Sequence, residues 1–321
     1  MIVRLGYVAM SKNLQNASPS QTMTYSHFQT IRDREAAIKK LERIARSNLH
    51  NILRILKHNA AHDIRFFRMS SRIVPLARHE ALKDWNPLVA IQQPLEEIGT
   101  FAKDHHMRID FHPEHFVLFS SKKKDVLQRS IQSLRFHHDL LSGMNVNPVH
   151  RSVIHVGGSY GDKERALERW VHNWMYVPSR LQQTVMLEND DTTFHVEDVL
   201  YLCEKLNLPC VFDLHHHSAN PPQSSTFEAI WERIAGTWKH SPLPLKMHVS
   251  SPKSQVRFRD HADFIEAAPF MDFLRKVKGS VSQIDCMLEA KAKDNALFRL
   301  MEDVRRFPDV TPIDGASFEL R

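Results

Sequence analysis

Short apolar runs and longer amphipathic stretches alternate along nearly the whole chain. The runs read as buried strands, and the stretches repeat their apolar positions at helical spacing. The first strand is expected at about 3–8, before a polar loop through Pro19 and Tyr25. A long helix follows at about 33–59, with Ile38, Leu41, Ile44, Ala45, Leu49, Ile52 and Ile55 along one face. Next come a strand at 63–71 and a helix at 94–105, with Pro94 in its first turn. Later strands are expected to end at His112, His155, Glu188, near Asp213, at His248 and at Glu289. The helices between and after them are expected at 125–141, 163–177, 195–207, 226–238, 263–278 (interrupted by Pro269) and 294–307. A tail of about 308–321 completes the chain.

Eight strand–helix units in 321 residues predict an α/β protein made of a single (β/α)8 TIM barrel, with residues 1–321 as one domain. No linker, low-complexity tract or shift of composition divides the chain. A doubly wound sheet would need a glycine-rich phosphate loop after its first strand. LGYVAMSKN follows instead, in a chain with only nine glycines.

Composition narrows the class further. With 42% hydrophobic and 25% charged residues the chain has ordinary globular proportions. No apolar run approaches the roughly 20 residues of a membrane span, and MIVRLGYVAM lacks the pattern of a secretory leader. A cytoplasmic protein with no membrane partner is expected. Cys203, Cys210 and Cys286 are widely spaced and suit buried thiols better than a cysteine zinc site. The net charge of +6 permits a polyanionic partner without requiring one. Arg43, Arg46, Arg54 and Lys57 read as a solvated helix face, whereas Lys122, Lys123 and Lys124 fall near the expected mouth of the barrel. Histidine, at 21 residues, exceeds what a core needs and points to ligation.

Barrel enzymes build their sites at the C-terminal ends of the strands. This chain places His112, His155, Glu188, Asp213, His216, His248 and Glu289 there, with His261 in the loop after strand seven. Nitrogen and carboxylate ligands without thiolate suit Mn²⁺, Zn²⁺ or Fe²⁺. So many candidates imply two or three ions, with Glu188 and Glu289 as natural bridges. Two ions on opposite sides of a phosphodiester can activate the attacking water and stabilise the leaving oxygen. Singly, each position is better explained as a helix cap or a hydrogen-bonded surface residue; their recurrence at successive strand ends is not. Within His215-His216-His217, His216 is expected as the ligand, His217 second, and His215 either behind the ligands or packed outside. Lys246 lies two residues before His248 and so points to the same side of its strand. An ion pair with Glu188 or Glu289 is the plain expectation for it. A phosphate contact, or a carbamylated lysine that itself binds metal, is the functional one.

At these residues the chain resembles the UV damage endonuclease family, relatives of the endonuclease IV type of apurinic endonuclease. The resemblance runs from RLGY to LEAKAKD. It is carried by FFRMSSRIVP, HPEHFV, HVGGSYGDK, LEND, DLHHH followed by Asn220-Pro221, and KMHVSS. It implies a barrel with a three-metal cluster, commonly manganese with Zn²⁺ or Mg²⁺ as alternatives. The implied activity is incision of duplex DNA on the 5′ side of UV photoproducts. The ligands it implies are His112, His155, Glu188, Asp213, His216, His248, His261 and Glu289, with Glu188, Glu289 and Lys246 catalytic and Lys246 a candidate for carboxylation. Tyr7 matches a tyrosine that probes the damaged strand. His115 stands where relatives carry a glutamine that enters the duplex, and Arg72 where some carry a metal-binding histidine. Lys122, Lys123, Lys124, Lys163, Arg257 and Arg259 are the expected phosphate contacts, on a monomer. An abasic-site endonuclease, a metal-dependent sugar isomerase and a non-catalytic DNA-binding module are the rival readings.

Overall fold

The computed structural model describes residues 1–114, 116–222 and 226–321. Eight parallel strands form the barrel: β1 (Ile2–Val8), β2 (Phe66–Met69), β3 (Arg108–Phe111), β4 (Ser152–His155), β5 (Val185–Glu188), β6 (Cys210–Asp213), β7 (Leu245–Val249) and β8 (Gln283–Leu288). β8 pairs with β1 from Ile2↔Gln283 to Tyr7↔Leu288, and β1 pairs with β2 at Tyr7↔Phe67 and Val8↔Arg68, which closes the ring. Around it lie α1 (Tyr25–Thr30), α2 (Arg34–Ala61), α3 (Pro87–Asp104), α4 (Lys124–Gly143), α5 (Lys163–Trp174), α6 (Ser179–Gln182), α7 (Val196–Leu206), α8 (Leu214–Ala219), α9 (Phe227–Thr237), α10 (Ala267–Val277) and α11 (Asp294–Val304). No helix among the described residues is long and apolar enough to cross a membrane.

Most elements begin where capping chemistry allows. The Asp33 carboxylate accepts from Glu35 N (2.9 Å) and opens α2, which buries Leu41, Ala45, Leu49, Ile52 and Leu56. The expected start of α3 at Pro94 is corrected. Asn86 caps Leu88 N (3.1 Å) with Pro87 at the first helical position, and Pro94 lies inside the helix. Asn-Pro carries the same start signal earlier in the chain, and the helix tolerates the hydrogen bond that Pro94 cannot donate. Pro269 likewise falls in the first turn of α10, where backbone N–H groups lack helical partners in any case.

The expected tail folds as well. β9 (Val310–Pro312) and β10 (Ser317–Leu320) form an antiparallel pair, and β10 lies antiparallel to the lower part of β1 at Ile2↔Glu319, Val3↔Phe318 and Arg4↔Ser317. β2 begins only opposite Tyr7, so β10 covers the N-terminal stretch of β1 that β2 leaves unpaired. The three cysteines are buried and free.

Below the mouth, the barrel interior holds a layer of charge. Arg4 donates to Asp285 Oδ1 (2.9 Å) and Oδ2 (2.5 Å). Arg108 donates to Asp110 Oδ2 (2.9 Å) and Asp285 Oδ2 (2.9 Å). Arg151 and Lys246 complete it on Asp110 at 3.2 and 3.3 Å. Lys246 is fully buried in this layer, so its carboxylate partner is Asp110 and not Glu188 or Glu289.

Candidate metal centre

The C-terminal ends of β3 to β8 gather imidazoles around Glu188, the last residue of β5. His112 Nε2 lies 3.0 Å from Glu188 Oε2, and His155 Nε2 lies 3.6 Å from the same oxygen. His248 Nδ1 lies 2.8 Å from Glu188 Oε1 and 3.2 Å from Glu289 Oε1. His216 Nδ1 is 3.6 Å from Glu188 Oε1. Two triads result, His112–His155–Glu188 and Glu188–Asp213–His248, each with ligand atoms within 4.8 Å of one another. Glu188 belongs to both, the placement of a bridging carboxylate.

Local backbone chemistry aims these groups. Asp213 caps α8: its Oδ1 accepts from His216 N (2.7 Å), while Oδ2 is buried without a hydrogen-bond partner. It is therefore cap and open ligand at once. The short helix turns the three histidines in different directions. His216 enters the cluster, oriented by Nδ1 on the Asn189 carbonyl (2.9 Å). His215 stacks on Phe258 and meets His261 edge-on at 5.5 Å, whereas His217 packs near Phe212 and Phe227. His215, not His217, is thus the second histidine nearest the site. His112 Nδ1 contacts the Pro113 carbonyl (3.1 Å) and His261 Nδ1 the Glu289 carbonyl (2.8 Å), leaving Nε2 of each for another ligand. After His155, Gly157 adopts φ +109°, and a Cβ there would stand 2.8 Å from Ser120 Oγ, so the turn needs glycine.

Electrostatics favour ligation. Burial pushes the Glu188 carboxyl up, but the charges of His248 and His155 and hydrogen bonds from His112 and His248 outweigh it and hold the group well below the usual range. Burial takes His112 down to about 4, which leaves its imidazole neutral at neutral pH. Burial also opposes charge on His216, yet Asp213 and Glu188 carry it up to about 9. Hard oxygen and imidazole donors, together with the unpartnered Asp213 Oδ2, fit a divalent ion.

Glu289 is engaged differently. Arg68 Nη1, from β2, pairs with its Oε1 and contributes most of the pull that overcomes burial and lowers that carboxyl. Arg68 was not anticipated. The two-residue period of a strand puts it on the inner side with Phe66, and that was the available signal. Arg72 lies beyond β2, largely exposed, 3.3 Å from Glu114. It is Arg68 that stands at the inner position of strand two.

The remaining expected contacts follow β3, β4 and β7, in loops or at the first residue of the next helix. Lys122 Nζ sits 5.8 Å above the Tyr160 ring, and Lys123 occupies the position just before α4, which Lys124 opens, without a side-chain capping bond. Lys163 Nζ is 2.8 Å from Asp198 Oδ2, Arg257 pairs with Asp260, and Arg259 lies 3.8 Å from Asp191. Tyr7 is a correction: it is fully buried, with its hydroxyl donating to Asn59 Oδ1 (2.6 Å), and it presents nothing to a surface. His115 lies outside the described residues.

A family model described as UV-endonuclease UvdE matches residues 3–320. The chain belongs to this family. A UV DNA damage endonuclease of Halalkalibacterium halodurans is 47% identical over 320 residues, covering 99% of each chain. One from Bacillus cereus is 38% identical over 324 residues, covering 99% of this chain and all of the other. Among solved structures, that of SacUVDE superposes with a TM-score of 0.80 at 29% identity, covering 94% of this chain and 98% of that one. Endonuclease IV of Thermus thermophilus (TM-score 0.56, 12% identity, covering 95% of this chain and all of that one) shares the fold.

Proposed function

We propose that this UV-endonuclease family member is a metal-dependent endodeoxyribonuclease. It nicks duplex DNA immediately 5′ of cyclobutane pyrimidine dimers and 6-4 photoproducts and leaves 3′-hydroxyl and 5′-phosphate ends. The observation that carries the reading is Glu188, shared by two ligand triads at the barrel mouth. His112, His155, Glu188, Asp213, His216, His248, His261 and Glu289 would hold two or three divalent ions, proposed as Mn²⁺, with Zn²⁺ or Mg²⁺ as substitutes. When bound, such ions supply Lewis acidity to the scissile phosphate and the means to lower the pKa of water.

The protein's own groups do the rest. Neutral His112 donates a lone pair without first losing a proton. Asn189 and the carbonyls behind His112 and His261 keep the imidazoles aimed. Lys122, Lys123, Lys124, Lys163, Arg257 and Arg259 hold strand phosphates, which sets register without reading sequence. Crosslinked, poorly stacked bases cost less to extrude than intact ones, which supplies lesion preference. A cavity of about 670 Å³, lined in part by Arg72, Arg78, Glu114, Phe116 and Arg129, opens beside the β2 and β3 loops and offers room for them. His115, which precedes Phe116 in the sequence, is proposed to wedge into the duplex. Lys246 is brought down to about 8 chiefly by burial. It is the amine that carboxylation would convert into a further oxygen ligand, and intact mass would reveal it. The enzyme is proposed to act as a monomer on chromosomal DNA in the cytoplasm.

The test is incision by purified protein with Mn²⁺ of end-labelled duplexes carrying a dimer, a 6-4 photoproduct or an abasic site. Cutting at the photoproducts, with ends that ligase and polymerase accept, is expected. Cutting confined to the abasic duplex would transfer the chain to the abasic-site reading, and no cutting of any duplex would end the nuclease reading.

A further inference from the structure

Beside Glu289, the rim between β8, β1 and β2 gathers three cations. Lys293 lies in the loop after β8, Lys12 in the loop after β1, and Arg68 on β2. Neither lysine forms an ion pair among the described residues. Lys293 is half-buried. Burial first, then the charges of Arg68 and Lys12, push it toward the neutral form, with Glu289 as the nearby attraction. Glu289 is already held by Arg68 and is a candidate ligand besides. The two nearby carboxylates are engaged elsewhere, Glu289 by Arg68 and Asp294 by Ser11, Asn13 and His58, which leaves both lysines to seek an anion.

The fold holds the two lysines together through one carboxylate, while Arg68 is held by Glu289. Buried Asp294 accepts from Ser11 Oγ, from Lys12 N (2.8 Å), from Asn13 Nδ2 (2.9 Å) and from His58 (3.2 Å). That clamp pins the loop carrying Lys12 against the turn carrying Lys293. Lys293 itself has φ 57° and ψ −123°, a backbone region that glycine enters freely and a residue with a Cβ does not. Its carbonyl accepts from Ala296 N (3.0 Å) and Leu297 N (3.2 Å), so the turn is fixed from both sides. A glycine would relieve the strain. The chain spends the strain on a lysine side chain, which points to use of that side chain.

We infer that Lys293, Lys12 and Arg68 form a subsite for a backbone phosphodiester of the bound DNA strand, on the β8–β1–β2 side of the metal centre. The inference rests on the proposed function and adds a phosphate position to it. The basic loops after β3, β4 and β7 then hold the duplex from the other side, so the strand is gripped on both flanks of the cluster.

Steady-state nicking of a UV-irradiated duplex with Mn²⁺, over a series of salt concentrations, tests it. Wild-type, Lys293→Gly, Lys293→Arg and Lys12→Ala proteins are compared, with thermal unfolding of each. Lys293→Gly should unfold at or above the wild-type temperature while KM rises about tenfold, the scale of one lost charge-assisted hydrogen bond. The dependence of log kcat/KM on log salt should flatten by roughly one for each lysine removed. Lys293→Arg should restore both. Wild-type KM and salt slope in Lys293→Gly and Lys12→Ala alike would overturn the subsite and leave the proposed function standing. Failure of the wild type itself to nick would instead remove the function on which the subsite depends.

Discussion

Glu188 is the residue on which four imidazoles converge, and its two oxygens serve different sides of the cluster. Glu188→Gln should lower incision by more than about a hundredfold, since groups that merely stand behind a ligand are worth roughly 10–100-fold. Cooperative unfolding should persist, and a nicking assay beside a melting curve checks both. His216 makes a second expectation. Held up to about 9 by Asp213 and Glu188 against burial, it is protonated at neutral pH when no ion is bound. Metal must displace that proton, so affinity should fall as pH drops below about 9, approaching tenfold per unit for one proton. Calorimetric titration in buffers of differing ionisation enthalpy would count the proton released, and a pH-independent affinity would exclude His216 from the ligand set. At this scale the gathering of these histidines and carboxylates was legible in the sequence, because metal chemistry restricts residue type at strand ends. The partners were not. Lys246 and Arg68 have carboxylates on both sides in sequence terms, and only the barrel's layering decides that one meets Asp110 and the other Glu289.

Among the elements, α4 carries a histidine unrelated to the metal centre. His137 is fully buried, with Nδ1 on the Ser133 carbonyl (2.8 Å) and its ring against Phe111. Burial takes it down to about 4, from 6.5 for the exposed group. The unfolded chain therefore binds more protons than the folded one between those values. Its neutral burial stabilises the fold above pH 6.5, and that contribution is lost as pH falls toward 4. His137→Phe should flatten the decline of stability across this window, measured by urea unfolding at several pH values. For the eight barrel strands and the long helices between them element type was readable from periodicity, and boundaries less so. Pro94 and Asn86-Pro87 both look like helix starts, and packing of Ile91 and Leu95 into the core extends α3 across the later proline. The strands β9 and β10 escaped notice because each is short and owes its conformation to β1, far away in sequence.

For the whole molecule, the layer beneath the mouth matters most. Asp110 accepts from Arg108, Arg151 and Lys246, so removing its charge leaves Arg151 and Lys246 without their carboxylate and Arg108 with Asp285 alone. Asp110→Asn should cost about 3–5 kcal/mol, the scale for breaking a buried ion pair on one side, and denaturant unfolding would measure it. Nothing in hydrophobic patterning revealed this layer, because charged side chains that face a barrel interior look like those that face water until the strands are closed.

That layer also changes what the mouth can bind. Arg4, Arg108, Arg151 and Lys246 outnumber Asp110 and Asp285 by two charges, while above them Glu188, Asp213 and Glu289 outnumber Arg68 by two. Among these groups, and setting aside the proton on His216 that metal displaces, the charges of floor and ligand carboxylates cancel. Two divalent ions would leave the site strongly cationic, and the phosphate of an incoming strand is the anion that restores the balance. Ion and DNA should therefore tighten one another by the same factor, as reciprocal linkage demands. Manganese affinity measured with and without a non-cleavable duplex should rise as much as duplex affinity rises with manganese, and independent affinities would show that the charges of floor and rim are not shared.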